Sequence, residues 1–259
     1  MSYIKSLIIA FSMYSKIPMP HLELEEKDMR YVMGFFPVVG IVLGGVMYLL
    51  YKLMNLVGMP DVSASLILMI VPLIVTGGIH TDGYMDTCDA RNSYGDMEKK
   101  LNILKDSHIG AFAVIRLLVY YALYYACVYC MVVRSSDKLF IIWMLTFYMS
   151  RIMSGYAAVN LKGARNKGML HTFTSAADRR NVNIMLGVQS VICIVAMCMC
   201  DIVSAVLVMA AETACMLYYR HMAYKEFGGV TGDLAGYLLC ISELGMLMVL
   251  SVISLILVV

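Results

Sequence analysis

Long apolar segments separated by short polar ones dominate the chain. A helix needs about 20 apolar residues to cross a hydrocarbon core of about 30 Å. The segments that reach or approach this length are 31–57, 62–79, 109–133, 139–160, 183–200, 202–219 and 234–257. The pattern therefore predicts an all-α fold, a polytopic membrane bundle of about seven transmembrane helices that forms a single domain over residues 1–259.

Two parts of this pattern need a separate interpretation. The segments on either side of Asp201 are joined so closely that we expect a tight helical hairpin, because one helix of their combined length would overrun the bilayer. Residues 4–14 are apolar but too short to span alone, and no small-residue cleavage site follows them. We expect a re-entrant or interfacial segment there, or part of an eighth crossing.

The composition agrees with a membrane protein. Hydrophobic residues make up 61% of the chain and charged residues 15%, against about 45–50% and 25% in ordinary soluble domains. A net charge of +2, from 20 Lys and Arg against 18 Asp and Glu, argues against a polybasic nucleic-acid binder. The expected partner is therefore the lipid bilayer and not a nucleic acid.

The lysines and arginines are distributed unevenly between the two sides of the predicted bundle. Fourteen lie in the connecting segments of one side, which are 16–30, 80–108, 161–181 and 220–233. Three lie near the other side: Lys52, Arg134 and Lys138. Under the positive-inside rule the first side faces the cytoplasm. We expect a multi-pass protein of the cytoplasmic membrane with these segments inside the cell.

Three aspartates follow the second predicted span on that side. Asp82, Asp86 and Asp89 stand at i, i+4 and i+7, so a helix would carry all three carboxylates on one face. Bare carboxylates so close together repel one another, and oxygen ligands of this kind suit Mg²⁺ or Mn²⁺. Gly78 and Gly83 permit a turn and a close backbone approach for a ligand. A solvated polar turn is the alternative, but it does not require three acids on one face at a membrane boundary.

A second polar motif precedes the third predicted span. Lys105 and His108 are candidate donors to a phosphate, while Asp106 and Ser107 are candidate caps for a helix that begins near Ile109. A helix start with a lysine anchored at the membrane interface explains the same residues equally well.

A third polar motif, 228–233, precedes the last predicted span. Its glycines and Thr231 predict a turn rich in backbone N–H groups, suited to an anion or a metal-bound oxygen, with Asp233 just after it. The basic segment 162–180, which contains Arg165, lies on the same side. This segment fits a phosphate or nucleotide subsite and fits a purely topological role equally well.

Several charges fall inside the predicted spans: Arg116, Arg151, Glu212 and Glu243. Charges at this depth are costly and usually face the bundle interior, a partner or a cavity. For each of them a structural ion pair is at least as plausible as a contact with substrate.

These motifs together resemble the cobalamin synthase family, the adenosylcobinamide-GDP ribazoletransferases. The matching segments occur in family order at 15–18, 34–40, 77–89, 105–110, 150–151, 165–168 and 229–233. The Gly-Gly-x-His-x-Asp-Gly and Gly-x-Thr-Gly-Asp elements are the specific ones. His108 is a departure, because the family more often has arginine there, and histidine is not reliably charged at neutral pH.

The resemblance implies a Mg²⁺-dependent membrane phosphotransferase of cobalamin biosynthesis. It would join adenosylcobinamide-GDP to a hydroxyl of α-ribazole or its 5′-phosphate and release GMP. Asp82, Asp86 and Asp89 would hold Mg²⁺, and Asp82 or His80 would accept the hydroxyl proton. The implied substrate-binding residues are Gly78, Gly83, Lys105, Asp106, Ser107, His108, Arg151, Arg165, Thr231 and Asp233. The sequence leaves open whether the protein is a homo-oligomer.

Two other functions compete with this one. Membrane enzymes that transfer CDP-activated head groups also use aspartates at helical spacing, in an Asp-Gly-x-x-Ala-Arg signature. Asp86 stands here where that signature has alanine, and no arginine follows it, which disfavours the family. A transporter would place its key polar groups near the membrane midplane at a repeat interface, whereas these motifs cluster at one boundary and no repeat is visible.

Overall fold

The computed structural model describes residues 2–21, 23, 25–106, 108–165 and 168–256. Over these residues the chain forms eleven α-helices, a short 3₁₀ helix (Glu26–Met29) and no β-strand. The helices are α1 (Ser2–Tyr14), α2 (Val32–Leu56), α3 (Asp61–Thr76), α4 (Ile79–Asn92), α5 (Met97–Ile103), α6 (Ala111–Arg134), α7 (Asp137–Asn160), α8 (Met169–Ala176), α9 (Arg179–Cys200), α10 (Ile202–Phe227) and α11 (Gly232–Ile256). The predicted all-α bundle is confirmed.

Six of the helices are long and apolar enough to cross a membrane alone: α2, α6, α7, α9, α10 and α11. A seventh crossing is obtained only if α3 and α4, which meet at a bend of 93°, count as one broken span. The predicted span 62–79 is therefore the exception, because α3 has only 16 residues. The hairpin predicted at Asp201 is confirmed, since α9 ends and α10 begins on either side of it.

Helix α7 is the centre of the bundle and packs against α2, α9 and α11. Its apolar side chains face neighbours on all sides, and Trp143 and Phe147 are fully buried. Two glycines of α2 allow the closest approach. A Cβ atom at Gly40 or Gly44 would collide with the carbonyl oxygens of Phe147 and Met144 in α7. Small residues at helix contacts of this kind are typical of membrane bundles.

Helix α1 lies at one end of the bundle. The Tyr3 ring stacks on Tyr31 with centroids 4.4 Å apart, and the Tyr14 ring contacts Phe36 at 4.3 Å. Both ends of α1 therefore contact the same short stretch of chain at and after the start of α2. The helix is a short segment at that end of the bundle and not an eighth crossing.

The connecting segments fall into two groups, as the charge distribution predicts. At one end Lys52 pairs with Asp137 at 2.7 Å, which joins the end of α2 to the start of α7. At the other end three contacts join the four basic segments: Val230 N–H donates to the Lys162 carbonyl, Asp178 N–H donates to the Arg30 carbonyl, and Arg91 pairs with Glu226. We name this second end, which carries all three polar motifs, the site end.

The segments between the predicted spans hold more helix than the sequence pattern indicates. Helices α4, α5 and α8 lie inside predicted connections, and α10 continues to Phe227 although its predicted span ends at 219. Charged residues do not interrupt a helix by themselves, and α10 ends only where Gly228 adopts a left-handed φ of +73°.

The predicted cap of the third span is wrong. Helix α6 begins at Ala111 with Gly110 at its N-cap and no side-chain cap. Asp106 instead accepts a hydrogen bond from the His108 backbone N–H at 3.0 Å. Ser107 lies outside the described residues.

Candidate functional site

The site is built on a sharp bend between α3 and α4. Gly77 and Gly78 adopt φ angles of +66° and +79°, in the left-handed region that favours glycine. These two residues end α3 and start α4 at an angle of 93° to it. Without this bend, the acidic residues of α4 would continue along the axis of α3.

Helix α4 then packs directly on the first turns of α11. A Cβ atom at Gly83 would lie 2.6 Å from the Asp233 carbonyl oxygen, and one at Gly236 would lie 2.9 Å from the His80 carbonyl oxygen. Only glycine allows the two backbones to approach this closely. The contact brings Asp233 of α11 beside the acidic face of α4.

Ion pairs hold the other end of α4. Arg91 pairs with Glu226 of α10 at 3.1 Å, and its Nη1 donates to the hydroxyls of Tyr218 at 2.6 Å and Tyr237 at 2.9 Å. Lys100 of α5 pairs with the same Glu226 at 2.9 Å. Because the network joins α4, α5, α10 and α11, it fixes where the aspartates of α4 stand relative to the bundle.

The three aspartates predicted to act together do lie on one helix. Asp82, Asp86 and Asp89 line a small pocket of about 20 Å³, together with His108, which we name the acidic pocket. The charges of Asp82, Asp89 and Asp233 all act on Asp86. Within the described part of the chain, no lysine or arginine forms an ion pair with any of these four carboxylates.

This donor set fits a hard divalent cation, because uncompensated carboxylates repel one another and a bound cation would remove that cost. Among the described residues, however, no group of three His, Cys, Asp or Glu side chains converges on one metal position. Mg²⁺ is commonly held by one or two carboxylates together with waters and substrate phosphates, and not by an all-protein cage. The acidic pocket therefore fits a metal that arrives with a phosphate ligand.

A much larger cavity opens beside the acidic pocket and shares Asp82 with it. Its volume is about 770 Å³, within the range of small-molecule sites. Its polar lining includes His80 and Asp82 of α4, Thr231 and Asp233 at the start of α11, and Lys162, Arg165 and Arg179 of the basic segment. The charge of Arg165 acts on Asp233, so cationic and anionic groups share this lining.

The remainder of the lining is largely apolar and, apart from the basic segment 162–180, was not predicted from the sequence. It includes Tyr14 at the end of α1, Phe36 of α2 and residues of α8, among them His171. Phe36 belongs to the motif 34–40, whose only separate signal is its glycines and proline. Tyr14 and His171 carry no sequence signal that distinguishes them from ordinary membrane-facing residues. A cavity with one charged wall and one apolar wall suits a ligand with both kinds of surface.

The turn predicted before α11 is present, but the N–H groups of Gly228, Gly229 and Val230 all donate to backbone carbonyls. Gly228 and Gly229 adopt φ angles of +73° and +157°, and the Thr231 hydroxyl accepts a hydrogen bond from Leu234 N–H at 3.2 Å. The N–H of Val230 also donates to Lys162 at 2.9 Å. The turn thus connects the start of α11 to the basic segment that carries Arg165.

Three predicted site residues lie elsewhere. Lys105 is exposed and does not line the large cavity. Asp106 and His108 bind each other, with 2.6 Å between the carboxylate and ring Nδ1, and this hydrogen bond lowers the pKa of Asp106. None of the three lines the large cavity, but His108 lines the acidic pocket beside the aspartates.

Arg151 is also absent from the lining of the large cavity. It is buried in the bundle interior, where its Nη1 donates to Glu243 at 2.7 Å. Of the two roles that the sequence allowed, the structural ion pair is therefore the one observed. Arg116, by contrast, is exposed on α6 and does not face the interior.

The spanning helices and the carboxylate-lined cavity at one end define a polytopic membrane protein with a polar ligand site. The chain belongs to the cobalamin-5-phosphate synthase family, whose sequence model matches residues 6–251. The family expected from the motifs is therefore confirmed.

Individual relatives agree with the family. The chain is 43% identical to an adenosylcobinamide-GDP ribazoletransferase of Lachnoclostridium phytofermentans, over 94% of this chain and 92% of the relative. It is 31% identical to one of Clostridium botulinum, over 93% and 94% of the two chains. It is 27% identical to one of Clostridium perfringens, over 97% and 99%. No solved structure matches the chain.

Proposed function

We propose that the protein transfers the adenosylcobinamide-phosphate group of adenosylcobinamide-GDP to a free ribose hydroxyl of α-ribazole or of its 5′-phosphate. The hydroxyl oxygen attacks the phosphorus bonded to the aminopropanol of cobinamide, and the bond from this phosphorus to GMP breaks. The products are GMP and adenosylcobalamin or its 5′-phosphate. The relatives that bear the name of this activity support the proposal across nearly the whole chain.

The structural observation that carries the proposal is the composition of the large cavity. Asp82 and Asp233 come from different helices and lie on the same lining as Arg165. A diphosphate needs positive charge close by, and a hydroxyl nucleophile needs a proton acceptor. The apolar wall offers the contact area that a large organic group requires.

We further propose that Asp82, Asp86 and Asp89 provide the carboxylates for Mg²⁺, one or two of them binding the ion directly while substrate phosphates supply further ligands. A bound Mg²⁺ would neutralise charge on the diphosphate as GMP leaves. The protein keeps the carboxylates of Asp82, Asp86, Asp89 and Asp233 close together, although they repel one another.

The remaining residues of the site bind the substrate, orient it or accept a proton from it. Arg165, whose charge acts on Asp233, donates to phosphate oxygens, and the first turn of α11 offers backbone N–H groups to the same anion. Asp82 or His80 accepts the proton of the attacking hydroxyl. A general base contributes about 10²–10⁴-fold, so loss of the base alone leaves measurable activity.

The test is GMP release from adenosylcobinamide-GDP by purified protein in lipid nanodiscs, with and without Mg²⁺. Asp82→Ala is expected to abolish release at any Mg²⁺ concentration, whereas His80→Ala retains a measurable rate. The matched control is Asp61→Ala, an exposed aspartate in the first turn of α3 at the opposite end, which should release GMP at the wild-type rate. A near-normal rate from Asp82→Ala with Mg²⁺ present would refute the assignment.

A further inference from the structure

A second, smaller cavity lies in the bundle interior behind His80. Its volume is about 30 Å³, and residues of α3, α4, α6, α7 and α11 line it. We name it the interior cavity. His80 lines both this cavity and the large one, so its ring separates the candidate active site from the middle of the bundle.

Three polar atoms that line the interior cavity have no hydrogen-bond partner in the described structure: His80 Nε2, Tyr124 Oη and Arg151 Nε. Their residues are deeply buried, with exposed fractions of 8% for His80, 2% for Tyr124 and 1% for Arg151. They come from three different helices and share one small space. Buried polar groups are almost always hydrogen-bonded, to protein or to an ordered water.

Other polar groups of the same cavity do have partners. Arg151 Nη1 donates to Glu243 at 2.7 Å, and the Tyr121 hydroxyl lies 3.4 Å from that of Thr81. The three unpartnered atoms are therefore a distinct set within this cavity. A water needs about 10–15 Å³ and two to four polar partners, and the interior cavity supplies both.

We propose that the interior cavity binds a water molecule that bridges His80 Nε2, Arg151 Nε and Tyr124 Oη. Through this water the Arg151–Glu243 ion pair and Tyr124 act as positioning residues for the His80 ring. The inference rests on the proposed function only in giving His80 a place beside the reacting groups.

The donors and acceptors determine how such a water is oriented. Arg151 Nε carries a hydrogen and can only donate, so the water oxygen accepts from it. The two water hydrogens are then available for His80 Nε2 and Tyr124 Oη. The second lone pair of the water could also accept from a His80 Nε2–H, but the positive charge of Arg151 favours the arrangement in which Nε2 accepts and neutral His80 carries its proton on Nδ1.

Two aromatic rings that contact each other also lie on one side of the His80 ring. The His80 centroid lies 6.2 Å from that of Tyr14 and 5.9 Å from that of Phe36. These rings restrict the ring plane, while the bridged water fixes rotation within that plane. Both constraints are needed to present one ring nitrogen to a substrate in a constant orientation.

The test compares two matched variants, Tyr124→Phe and Tyr121→Phe. Each removes one hydroxyl from the lining of the interior cavity and keeps the aromatic ring, but only the Tyr124 hydroxyl is a proposed water partner. The readout is ¹⁵N NMR of protein with ¹⁵N-labelled histidine in nanodiscs. The chain has 5 histidines, and His80→Gln identifies the His80 signals.

We expect one His80 tautomer in the wild type, with Nε2 as a hydrogen-bond acceptor. Tyr124→Phe should shift the Nε2 signal or introduce the second tautomer, and Tyr121→Phe should leave the His80 signals at the wild-type position. In the GMP-release assay Tyr124→Phe should lower kcat by between about 10- and 100-fold, with little change in KM.

Two results would overturn the inference. One is a His80 spectrum that Tyr124→Phe leaves unchanged or that Tyr121→Phe changes equally. The other is an experimental density map in which the three atoms contact one another directly with no water between them. Failure of the proposed function would give a different result, namely no GMP release by the wild-type protein. The NMR comparison would still test the water site in that case, because it does not depend on activity.

Discussion

Asp28 joins α1 to the 3₁₀ helix that precedes α2. Its carboxylate accepts from Lys5 Nζ at 3.1 Å and from the Glu25 backbone N–H at 3.2 Å, although the side chain is buried. Burial alone would raise the pKa of this carboxyl, but the two hydrogen bonds outweigh burial and hold the pKa below its usual value. The ionised form is therefore favoured more strongly in the folded state than in the unfolded one.

Asp28→Asn should lower the melting temperature at neutral pH, because the charge-assisted hydrogen bonds are lost. A lowered folded-state pKa gives stability that is present above the unfolded pKa of about 3.9 and is lost as the pH falls through the folded value. The gap in melting temperature between wild type and Asp28→Asn should therefore shrink as the pH falls from 7 towards 3. The control is Glu23→Gln, an exposed side chain of the same segment. A gap that widens in acid would contradict this role of Asp28.

The sequence predicts which side chains lie together when they are close along the chain and spaced at the repeat of an α-helix. The spacing of Asp82, Asp86 and Asp89 is sufficient to place them on one helix face, because that argument needs only 3.6 residues per turn. The partner of Arg151 could not be derived in this way, since Glu243 is distant in sequence and only helix packing brings the two together. The same limit applies to Tyr14 and Phe36, whose contact with His80 exists only in the folded bundle.

At the element scale, the close contact between α4 and α11 depends on glycine. Gly83 touches the Asp233 backbone and also lines the large cavity, where the sequence predicts a ligand contact. In the structure its lack of a side chain serves the approach of two helices. Because these helices carry the aspartates on both sides of the site, a small change in their separation alters the site without touching any reacting group.

Gly83→Ala should therefore reduce GMP release and stability together. The added Cβ atom would lie 2.6 Å from a backbone oxygen that cannot rotate away, so α4 and α11 must separate. Overpacking of this kind costs about 1–3 kcal/mol. Thermal unfolding in detergent and the GMP-release rate measure the two effects.

Gly45→Ala is the matched control for this prediction. Gly45 is a helical glycine of α2 with no atom within 4 Å of an added Cβ, so the substitution should be neutral or stabilising by up to about 1 kcal/mol. If Gly83→Ala behaved like Gly45→Ala, the close approach of α4 and α11 would not be a requirement of the site.

At the scale of elements, the sequence predicts helices that are long and uniformly apolar. The six candidate spans were all found, with the largest errors at ends that polar residues occupy, such as the end of α10 at Phe227. Helix α5 was missed as an element because its stability depends on packing and ion pairs, such as Lys100 with Glu226. Hydropathy contains no information about such contacts.

The whole molecule has two unlike ends. Polar motifs, basic segments and both cavities that contain Asp82 lie at the site end, and the opposite end carries short connections such as the Ser135–Ser136 link and Asp201. The contacts of the structure establish this grouping. Which end faces the cytoplasm stays a prediction from the excess of lysine and arginine at the site end.

Cysteine labelling can test that orientation. Tyr94→Cys introduces a thiol at a residue that is 95% exposed at the site end, and Leu56→Cys introduces one at a residue that is 83% exposed at the opposite end. The 8 native cysteines are all buried or half-buried, so their background reaction with a membrane-impermeant maleimide should be low. We expect Tyr94→Cys to react only in inside-out vesicles and Leu56→Cys only in intact cells.

This orientation also has a chemical reason. A site that binds a guanosine diphosphate ester and releases GMP must open to the compartment where nucleotides are made and reused, which is the cytoplasm. If labelling showed the reverse, the charge rule would fail for this chain, and the large cavity would face a compartment without its proposed substrate. If Tyr94→Cys reacted from the inside and yet the protein released no GMP, the orientation would stand and the assignment of the substrate would have to be abandoned.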